Sequence, residues 1–440
     1  MSKLIENSQI FENICPFPIS TNRIKSIIAE SPEIEQKIES FAKNTKIIAP
    51  ANVKSLIGKF LAIKLAFGNP KEKALYADMS VEQFIRRLIE KRPLCFATYY
   101  DQFGVPWDFT MLRDKTQSYV PSNDDPWTLV GTNEEDQIKI EEYLTYDEMQ
   151  ISALLGVSVP TLFINNGSRD NAGQPMKKGT FNPEGVFVGL VGPRFQKRGL
   201  MESQHILVQP EYNTDKCYGI NPTEPDDMKT KLLQLWAEFY GVDYFPTYNE
   251  IVDRWNSNDE TVMKQYHYSE LNGCFISKKL YKERIRNTIR IFLEDANARG
   301  LEQDKEVLCH IVGLGLGVWQ IDPIQELWYL KTFSKILFGK SYPKISNVDF
   351  SWFRNRLDDP VIGGVAISFS KRNPADTLDG IGDKLVVAMY AWDSNGYPGN
   401  EYWCGNLTDS GDPAAASCSL IAELQNPQIN PEFMNNINFY

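Results

Sequence analysis

The sequence predicts an α/β fold, and three observations point to it. Apolar, strand-like runs alternate with helical patterns over the C-terminal two thirds of the chain, as they do when helices join parallel strands. Hydrophobic residues at 42%, with 9 Trp, 20 Tyr and 24 Phe, are sufficient for a large core. A glycine-rich loop lies between a strand and a helix, where open α/β sheets bind phosphate groups. We therefore expect a mixed sheet flanked by helices.

The N-terminal part of the chain predicts helices outside this sheet. Residues 1–90 carry helical patterns, the last of them capped by Ser80 and ended by Pro93. Residues 91–150 contain a proline-punctuated stretch without a clear period, which predicts an irregular connecting segment. The α/β region then covers residues 151–440. The expected boundaries are therefore 1–90, 91–150 and 151–440.

The α/β region shows its elements in order. Strand-like runs VSVPTLFI, GVFVGLV and HILV come first, and a helix from about Lys278 to Arg299 is expected to end at Gly300. The clearest unit follows: strand EVLCHIV, loop GLGLGVWQ, helix DPIQELWYLKTFSKILFG and strand ISNVDFSWF. A buried-type strand, KLVVAMYAW, then opens into a polar loop, and AAASCSLIAEL predicts a short helix.

Composition excludes several function classes. The net charge of −11 argues against binding of nucleic acid or of an anionic membrane surface. The chain shows neither a signal peptide nor an apolar stretch long enough for a membrane span. Seven cysteines without C-x-x-C and three histidines without H-E-x-x-H predict a reducing compartment, no metal site and no cofactor. Cys404 and Cys418 are expected to be packing residues, so the chemistry falls to carboxylates.

The glycine loop is the first candidate ligand site. Its backbone N–H groups, from Gly313, Gly315 and Gly317 to Val318 and Trp319, could hold a phosphate. The spacing matches neither G-x-G-x-x-G nor G-x-x-x-x-G-K-[ST], which weakens a dinucleotide site and a P-loop. The alternative is a glycine turn that serves only close packing of strand and helix.

Asp322, at the start of the following helix, also has two interpretations. It precedes Pro323, with Gln325 at the capping-box position, so an N-cap explains it fully. The other interpretation makes it a catalytic carboxylate.

The loop after KLVVAMYAW is the candidate centre of chemistry. Asp393 directly follows the expected strand end and is the leading catalytic carboxylate, with Glu401 second. Carboxylates, amides and aromatic rings suit a sugar, so the ligand-binding set includes Asn395, Asn400, Tyr402, Gly411 and Asp412. The alternative is a solvated loop of turns. The acidic segment with Asp376, Asp379 and Asp383 precedes the same strand. Asp383 is too far from Asp393 along an extended strand to share its site, so we favour Asp393 and expect 376–383 to form a mobile loop that could still fold over a ligand.

Three motifs resemble a known family. The strand, GLGLGVW and helix resemble the diphosphate-binding loop of macrodomains, which bind ADP-ribose. The stretch YWCG…SGDP and the residues from Gly199 to Glu202 resemble parts of poly(ADP-ribose) glycohydrolase signatures, which adds Glu202 to the ligand-binding residues. Together with PGNEYW and SGDPAAA, these motifs look most like the atypical macrodomain hydrolases of the MavL type.

The resemblance covers about residues 150–440 and implies a function. MavL-type hydrolases are Legionella effectors that remove ADP-ribose from modified arginine, including arginine on ubiquitin. The resemblance thus implies a macrodomain-like catalytic domain, ADP-ribose as ligand, an ADP-ribosylated protein such as ubiquitin as partner, and secretion into a host cytosol. Two other hypotheses stay open: a reader that binds ADP-ribose without turnover, and an adaptor that acts through its N-terminal helices.

Overall fold

Strands and helices alternate along most of the chain. The computed structural model describes residues 2–96, 104–105, 126–135, 138–195, 197–215, 217–219, 227–377, 382–392 and 395–440. The strands are β1 Lys46–Ala49, β2 Cys95–Phe96, β3 Gly104–Val105, β4 Gly156–Leu162, β5 Glu184–Leu190, β6 Leu207–Val208, β7 Tyr266–Ser269, β8 Cys274–Ser277, β9 Val307–Ile311, β10 Ile345–Ser351, β11 Val361–Ile362, β12 Val365–Ser370, β13 Leu385–Ala391 and β14 Ile437–Phe439. The helices are α1 Lys3–Ile14, α2 Ile24–Glu30, α3 Glu35–Lys43, α4 Val53–Phe67, α5 Pro70–Tyr76, α6 Val81–Glu90, α7 Tyr146–Ser152, α8 Met228–Tyr240, α9 Tyr248–Asn256, α10 Glu260–Gln265, α11 Lys278–Glu302, α12 Ile324–Gly339, α13 Asp412–Cys418 and α14 Ile421–Leu424.

A nine-stranded sheet forms the centre of the fold, in the order β11-β12-β10-β9-β13-β5-β4-β1-β14. The five neighbours from β12 to β5 run parallel, whereas β4 is antiparallel to both β5 and β1. Because parallel strands end at one edge of a sheet, the loops after β9, β13 and β5 emerge side by side. This edge is the place that open α/β sheets use for ligands.

The core lies between the sheet and its covering helices. Strands β9 and β13 are apolar runs because they are buried on both faces. On one face, Phe333 of α12 packs edge-on against Phe350 of β10, with ring centroids 5.1 Å apart. Two short sheets, β2-β3 and β6-β8-β7, lie outside the central one. The α/β fold class expected from the sequence is confirmed.

Local signals placed several elements correctly. Ser80 caps α6 in a capping box with Gln83, as expected. The strand, glycine loop and helix occur as predicted, with β9 and α12 on either side of the loop. The expected C-terminal helix is divided in two, because Ser419 between α13 and α14 is extended.

Two expectations about the fold are wrong. Residues 1–90 are not all helical or outside the sheet, since β1 pairs with β4 and β14 inside it. The helix expected to end at Gly300 continues to Glu302; a Cβ at Gly300 would lie 2.6 Å from Val307, so this glycine serves close packing. The division at residues 90 and 150 stays a prediction.

In the described ranges, every helix is too short or too polar to cross a bilayer.

Candidate active site

Two loops touch at the carboxyl edge of the sheet: residues 312–323 after β9 and residues 191–205 after β5. Gly315 has a φ of +71°, and a Cβ there would lie 2.8 Å from the carbonyl oxygen of Pro193. A Cβ at Gly192 would lie 2.2 Å from the nitrogen of Gly315. Glycine is required at both positions because the two backbones approach so closely.

The glycine loop offers backbone donors at its exposed part, Gly317 and Val318, whereas Gly315 is buried against the loop after β5. Among the described residues, no acceptor is paired with the N–H groups of Gly315, Gly317 and Val318. A Cβ at Gly317 would meet nothing within 4 Å, and the Val318 side chain is 62% exposed, whereas Trp319 is buried. Gly313 precedes these donors, and a Cβ there would meet the Leu316 side chain. Clustered N–H groups in a loop of this kind favour an anion.

Asp322 ends this loop and caps α12. Its Oδ1 accepts from the backbone N–H of Ile324 at 3.0 Å, and its own N–H donates to Gln325 Oε1 at 2.9 Å. The capping role expected from the sequence is therefore confirmed. Because a carboxylate already occupies this helix N-terminus, an anion at the loop would depend on the loop N–H groups rather than on α12.

The second carboxylate oxygen of Asp322 has a partner that the sequence did not suggest. Asp322 Oδ2 lies 3.1 Å from Nε2 of His267, on β7. The Asp322 side chain is 13% exposed and that of His267 is 37% exposed, so the pair is open to solvent. A carboxylate and an imidazole in contact can share or pass a proton.

A buried arginine joins the loop after β5 to the loop after β13. The Arg194 guanidinium donates to Asn395 Oδ1 through Nη1, and to the carbonyl of Met149 at 3.2 Å. Its Nε lies 3.5 Å from Glu202 Oε2. Arg194, Asn395 and Glu202 are all buried. Asn395 and Glu202, both predicted as ligand-binding residues, therefore belong to one internal network.

Glu202 is held as an anion by this network. Its Oε1 accepts from Nε of Arg284 at 3.1 Å. Burial by itself would raise the pKa of Glu202, but Arg194 and Arg284 outweigh it, and the pKa is lowered. An ionised, arginine-paired carboxylate accepts hydrogen bonds and donates none, so Glu202 positions its neighbours and is not a proton donor.

Hydrogen bonds to residues from distant parts of the chain hold the loop after β13. Buried Asn400, with a φ of +27°, accepts from the N–H of Phe96 at 2.6 Å. Buried Tyr402 donates to Asn22 Oδ1 at 3.2 Å, and buried Asp412 accepts from the N–H of Gly399 at 3.0 Å. These three side chains support the loop, and their predicted ligand contacts stay predictions.

Three further residues predicted for catalysis or ligand binding belong to the loop after β13 or the start of α13. Asp393 lies outside the described residues. Glu401 is partly exposed within the 3₁₀ turn Asn400–Cys404. Gly411, with a φ of +82°, precedes α13. Their catalytic and ligand-binding roles stay predictions.

The acidic segment before β13 lies at the opposite end of that strand. Asp383 pairs with Lys305 at 2.8 Å, and Asp376 accepts from Asn166 Nδ2 at 2.8 Å. Asp379 lies outside the described residues. In the described ranges, no group of three or more His, Cys, Asp or Glu residues could hold a metal ion.

Sequence reasoning missed three side chains at this edge. Arg194 and His267 gave no signal because their partners lie far away in the chain. Trp352 directly follows β10, has a φ of +69° and is 60% exposed. An exposed indole at this edge of the sheet is accessible to a ligand.

Comparisons with known proteins identify the family of the chain. A family model described as "MavL-like: ADP-ribosylhydrolase MavL-like" matches residues 2–440. ADP-ribosylarginine hydrolase CG3568 of Drosophila melanogaster is 35% identical over 402 residues, covering 87% of this chain and 74% of the relative. ADP-ribosylarginine hydrolase CG2909 of the same organism is 30% identical over 445 residues, covering 97% of this chain and 84% of the relative. The chain is therefore a hydrolase that belongs to the MavL-like ADP-ribosylhydrolase family.

Proposed function

We propose that this protein hydrolyses the N-glycosidic bond between ADP-ribose and an arginine side chain of a modified protein. Both Drosophila relatives carry the name ADP-ribosylarginine hydrolase. The single observation that carries the proposal is the pair of exposed N–H groups at Gly317 and Val318, for which the described residues offer no acceptor, beside two loops joined by Arg194. We infer a macrodomain-like arrangement of this sheet and its loops.

The diphosphate of ADP-ribose lies against the glycine loop in this proposal. The exposed N–H groups of Gly317 and Val318 donate to its oxygens, as backbone nests do in other phosphate sites, and Gly315 sets the conformation of the loop. The side of Gly317 is open, so the phosphate can approach the backbone closely. No cofactor is required for this arrangement.

Trp352 is the best-placed aromatic surface for the adenine base. The sequence suggested aromatic residues of the loop after β13, but Tyr402 and Trp403 are buried in protein contacts. Trp352 is exposed at the end of β10, the neighbour of β9 in the sheet. Stacking on an exposed indole tolerates any base and adds affinity.

In this proposal, carboxylates around the ribose catalyse cleavage of the N-glycosidic bond. Cleavage passes through an oxocarbenium-like state, which one carboxylate stabilises while another directs or activates water, by analogy with glycosidases. We assign the leading role to Asp393 and the second to Glu401, because both belong to the loop after β13. Asp322 is the third candidate, with His267 in contact to hold or pass a proton.

The arginine of the substrate supplies the other half of recognition. A guanidinium pairs with a carboxylate through two parallel hydrogen bonds, which suits the acidic loop after β13. The modified protein is the partner, and ubiquitin is one such substrate suggested by the family resemblance. Secretion into a host cytosol, also suggested by that resemblance, stays a prediction.

The decisive assay releases ADP-ribose from a defined peptide. A peptide with ADP-ribosyl-arginine should yield free ADP-ribose, whereas a matched peptide with ADP-ribosyl-serine, an O-glycoside, should be cleaved far more slowly. Binding of both peptides without release of ADP-ribose would contradict the proposal and favour the reader hypothesis.

A further inference from the structure

Two cysteines from distant parts of the chain meet beside the loop that follows β13. Sγ of Cys95, in β2, lies 3.0 Å from Sγ of Cys404, although 309 positions separate the residues in sequence. Cys404 ends the 3₁₀ turn that also carries Glu401. Cys95 is buried and Cys404 is exposed.

We propose that Cys95 and Cys404 form a modification site, a thiol pair that hydrogen peroxide oxidises to a reversible disulfide. This inference goes beyond the proposed function and does not depend on it. It also revises the expectation that Cys404 is a packing residue, because a packing residue would be covered by protein. Cys418, by contrast, is buried.

The backbone already holds the two cysteines together. Asn400 Oδ1 accepts from the N–H of Phe96 at 2.6 Å, next to Cys95. The N–H of Tyr397 donates to the carbonyl of Pro93 at 2.9 Å, and the Tyr397 hydroxyl donates to the carbonyl of Glu90 at 2.8 Å. A disulfide is about 2.05 Å long, so the sulfur atoms need to approach by only about 1 Å.

The environment decides which thiol reacts first. The hydrogen bond between the thiols lowers the pKa of Cys404 and raises that of Cys95, while burial opposes the change at Cys404. The thiolate is the reactive form, and the exposed position of Cys404 admits a small peroxide. Cys404 is thus the attacking residue and Cys95 the resolving one.

Hydrogen peroxide is the oxidant, and it accepts the two electrons that the thiols lose. The Cys404 thiolate attacks one peroxide oxygen and breaks the O–O bond, giving a sulfenic acid and hydroxide. The hydroxide takes up the proton that the Cys404 thiol released on ionisation and becomes water. The sulfur of Cys95 then attacks the Cys404 sulfur, and its proton leaves with the sulfenic hydroxyl group as the second water. Two thiols lose two electrons in total, and one peroxide becomes two water molecules.

The disulfide would clamp the loop that carries Glu401 onto the segment 93–96. It also closes a very long stretch of chain, and a cross-link of that kind restricts the unfolded state most strongly. We therefore expect the oxidised protein to unfold at a temperature roughly 5 °C higher than the reduced protein.

The full-length protein with hydrogen peroxide tests the proposal. After oxidation, a digest without reductant should contain one peptide pair linked through Cys95 and Cys404. Free thiols should fall by two from the seven cysteines of the chain and return with dithiothreitol. Cys404→Ser and Cys95→Ser should both lose the linked pair and the thermal shift. Cys217→Ser, which changes a partly exposed cysteine elsewhere, should keep both.

Three results would overturn the proposal. The oxidised protein could keep all its thiols, or it could carry Cys404 as a sulfinic acid with Cys95 still free. The third result is a linked peptide pair without any rise in the unfolding temperature, because the disulfide would then not hold the loop against the segment 93–96.

Discussion

The two loops that flank the candidate site are built in opposite ways. The glycine loop, residues 312–323, has hydrogen bonds and turns that its own sequence supplies: Gly315 adopts a positive φ, and Asp322 and Gln325 cap the helix that follows. Its contact with Pro193 is a close approach of two backbones and involves no side-chain hydrogen bond. The loop after β13 is held by distant residues, since Asn22, Phe96 and Arg194 bind its side chains. A locally defined loop can leave its backbone donors open for a ligand, whereas a loop held from afar can place side chains accurately.

The first prediction removes the buried carboxylate that pairs with Arg194, and it has the largest expected effect on stability. Glu202→Gln removes the carboxylate between two buried arginines, Arg194 and Arg284, and should lower the free energy of unfolding by about 3–5 kcal/mol. Urea denaturation measures the change. Glu238→Gln is the control, because Glu238 pairs with Lys59 on the surface and should cost less than about 1 kcal/mol. Equal losses in the two variants would contradict the buried network.

The second prediction separates packing from binding within the glycine loop. Gly315→Val should lower both the unfolding temperature and ADP-ribose affinity, because Pro193 leaves no room for a Cβ. Gly317→Val should keep the unfolding temperature, since the space there is open, yet lose ADP-ribose affinity by roughly 100-fold, about 2.7 kcal/mol. Calorimetry and thermal unfolding measure the two effects. Wild-type affinity in Gly317→Val would remove the diphosphate from this loop.

The third prediction uses acid to loosen the support of the loop after β5. Burial lowers the pKa of His205 to about 3, with Glu202 opposing and Arg284 adding to the shift. The unfolded chain takes up a proton near pH 6.5 and the folded chain does not, so stability is present above pH 6.5 and is lost as the pH falls towards 3.

Urea denaturation between pH 6.5 and 5 measures this dependence. His205 contributes a slope of up to about 1.4 kcal/mol per pH unit. His310, whose pKa burial also lowers to about 3, adds a similar contribution. His205→Gln should therefore lower the wild-type slope by up to about 1.4 kcal/mol per pH unit, and an unchanged slope would show that His205 is not buried as a neutral ring.

The fourth prediction has the smallest expected effect and tests whether adenine binds at the carboxyl edge of the sheet. Trp352→Ala should weaken ADP-ribose binding about tenfold, roughly 1.4 kcal/mol, through loss of stacking. The unfolding temperature should stay within about 2 °C of the wild type, since the ring is exposed. Phe338→Ala, which changes another exposed aromatic residue, should leave the affinity unchanged. Equal affinity in both variants would assign the adenine elsewhere.

The same contrast explains how much the sequence could predict. The order of strands and helices around the glycine loop was predictable, because apolar runs, glycines and the Asp-Pro cap act over a few residues. The position of β1 was not, since Lys46–Ala49 is a short strand between helices that joins the sheet only through β4 and β14. Gly300 looked like a helix end because local signals do not reveal that Val307 lies against it.

The residues of the candidate site show the same contrast between local and remote contacts. Asp322 was correctly predicted as a cap, but its contact with His267 depends on the hairpin of β7 and β8, which lies about 50 positions away in the sequence. Glu202 and Asn395 were expected to face a ligand, yet both bind Arg194, a residue without any local motif. Side chains that depend on tertiary partners need the structure.

The most direct test of the account compares turnover with binding in the loop after β13. Asp393→Asn should retain ADP-ribose affinity within about tenfold while hydrolysis of an ADP-ribosyl-arginine peptide falls at least about 100-fold, because a group that acts in the transition state affects turnover most. Glu401→Gln should behave in the same way. If both variants hydrolyse the peptide like the wild type, the loop after β13 only binds or supports, and the assignment of the chemistry to it is wrong.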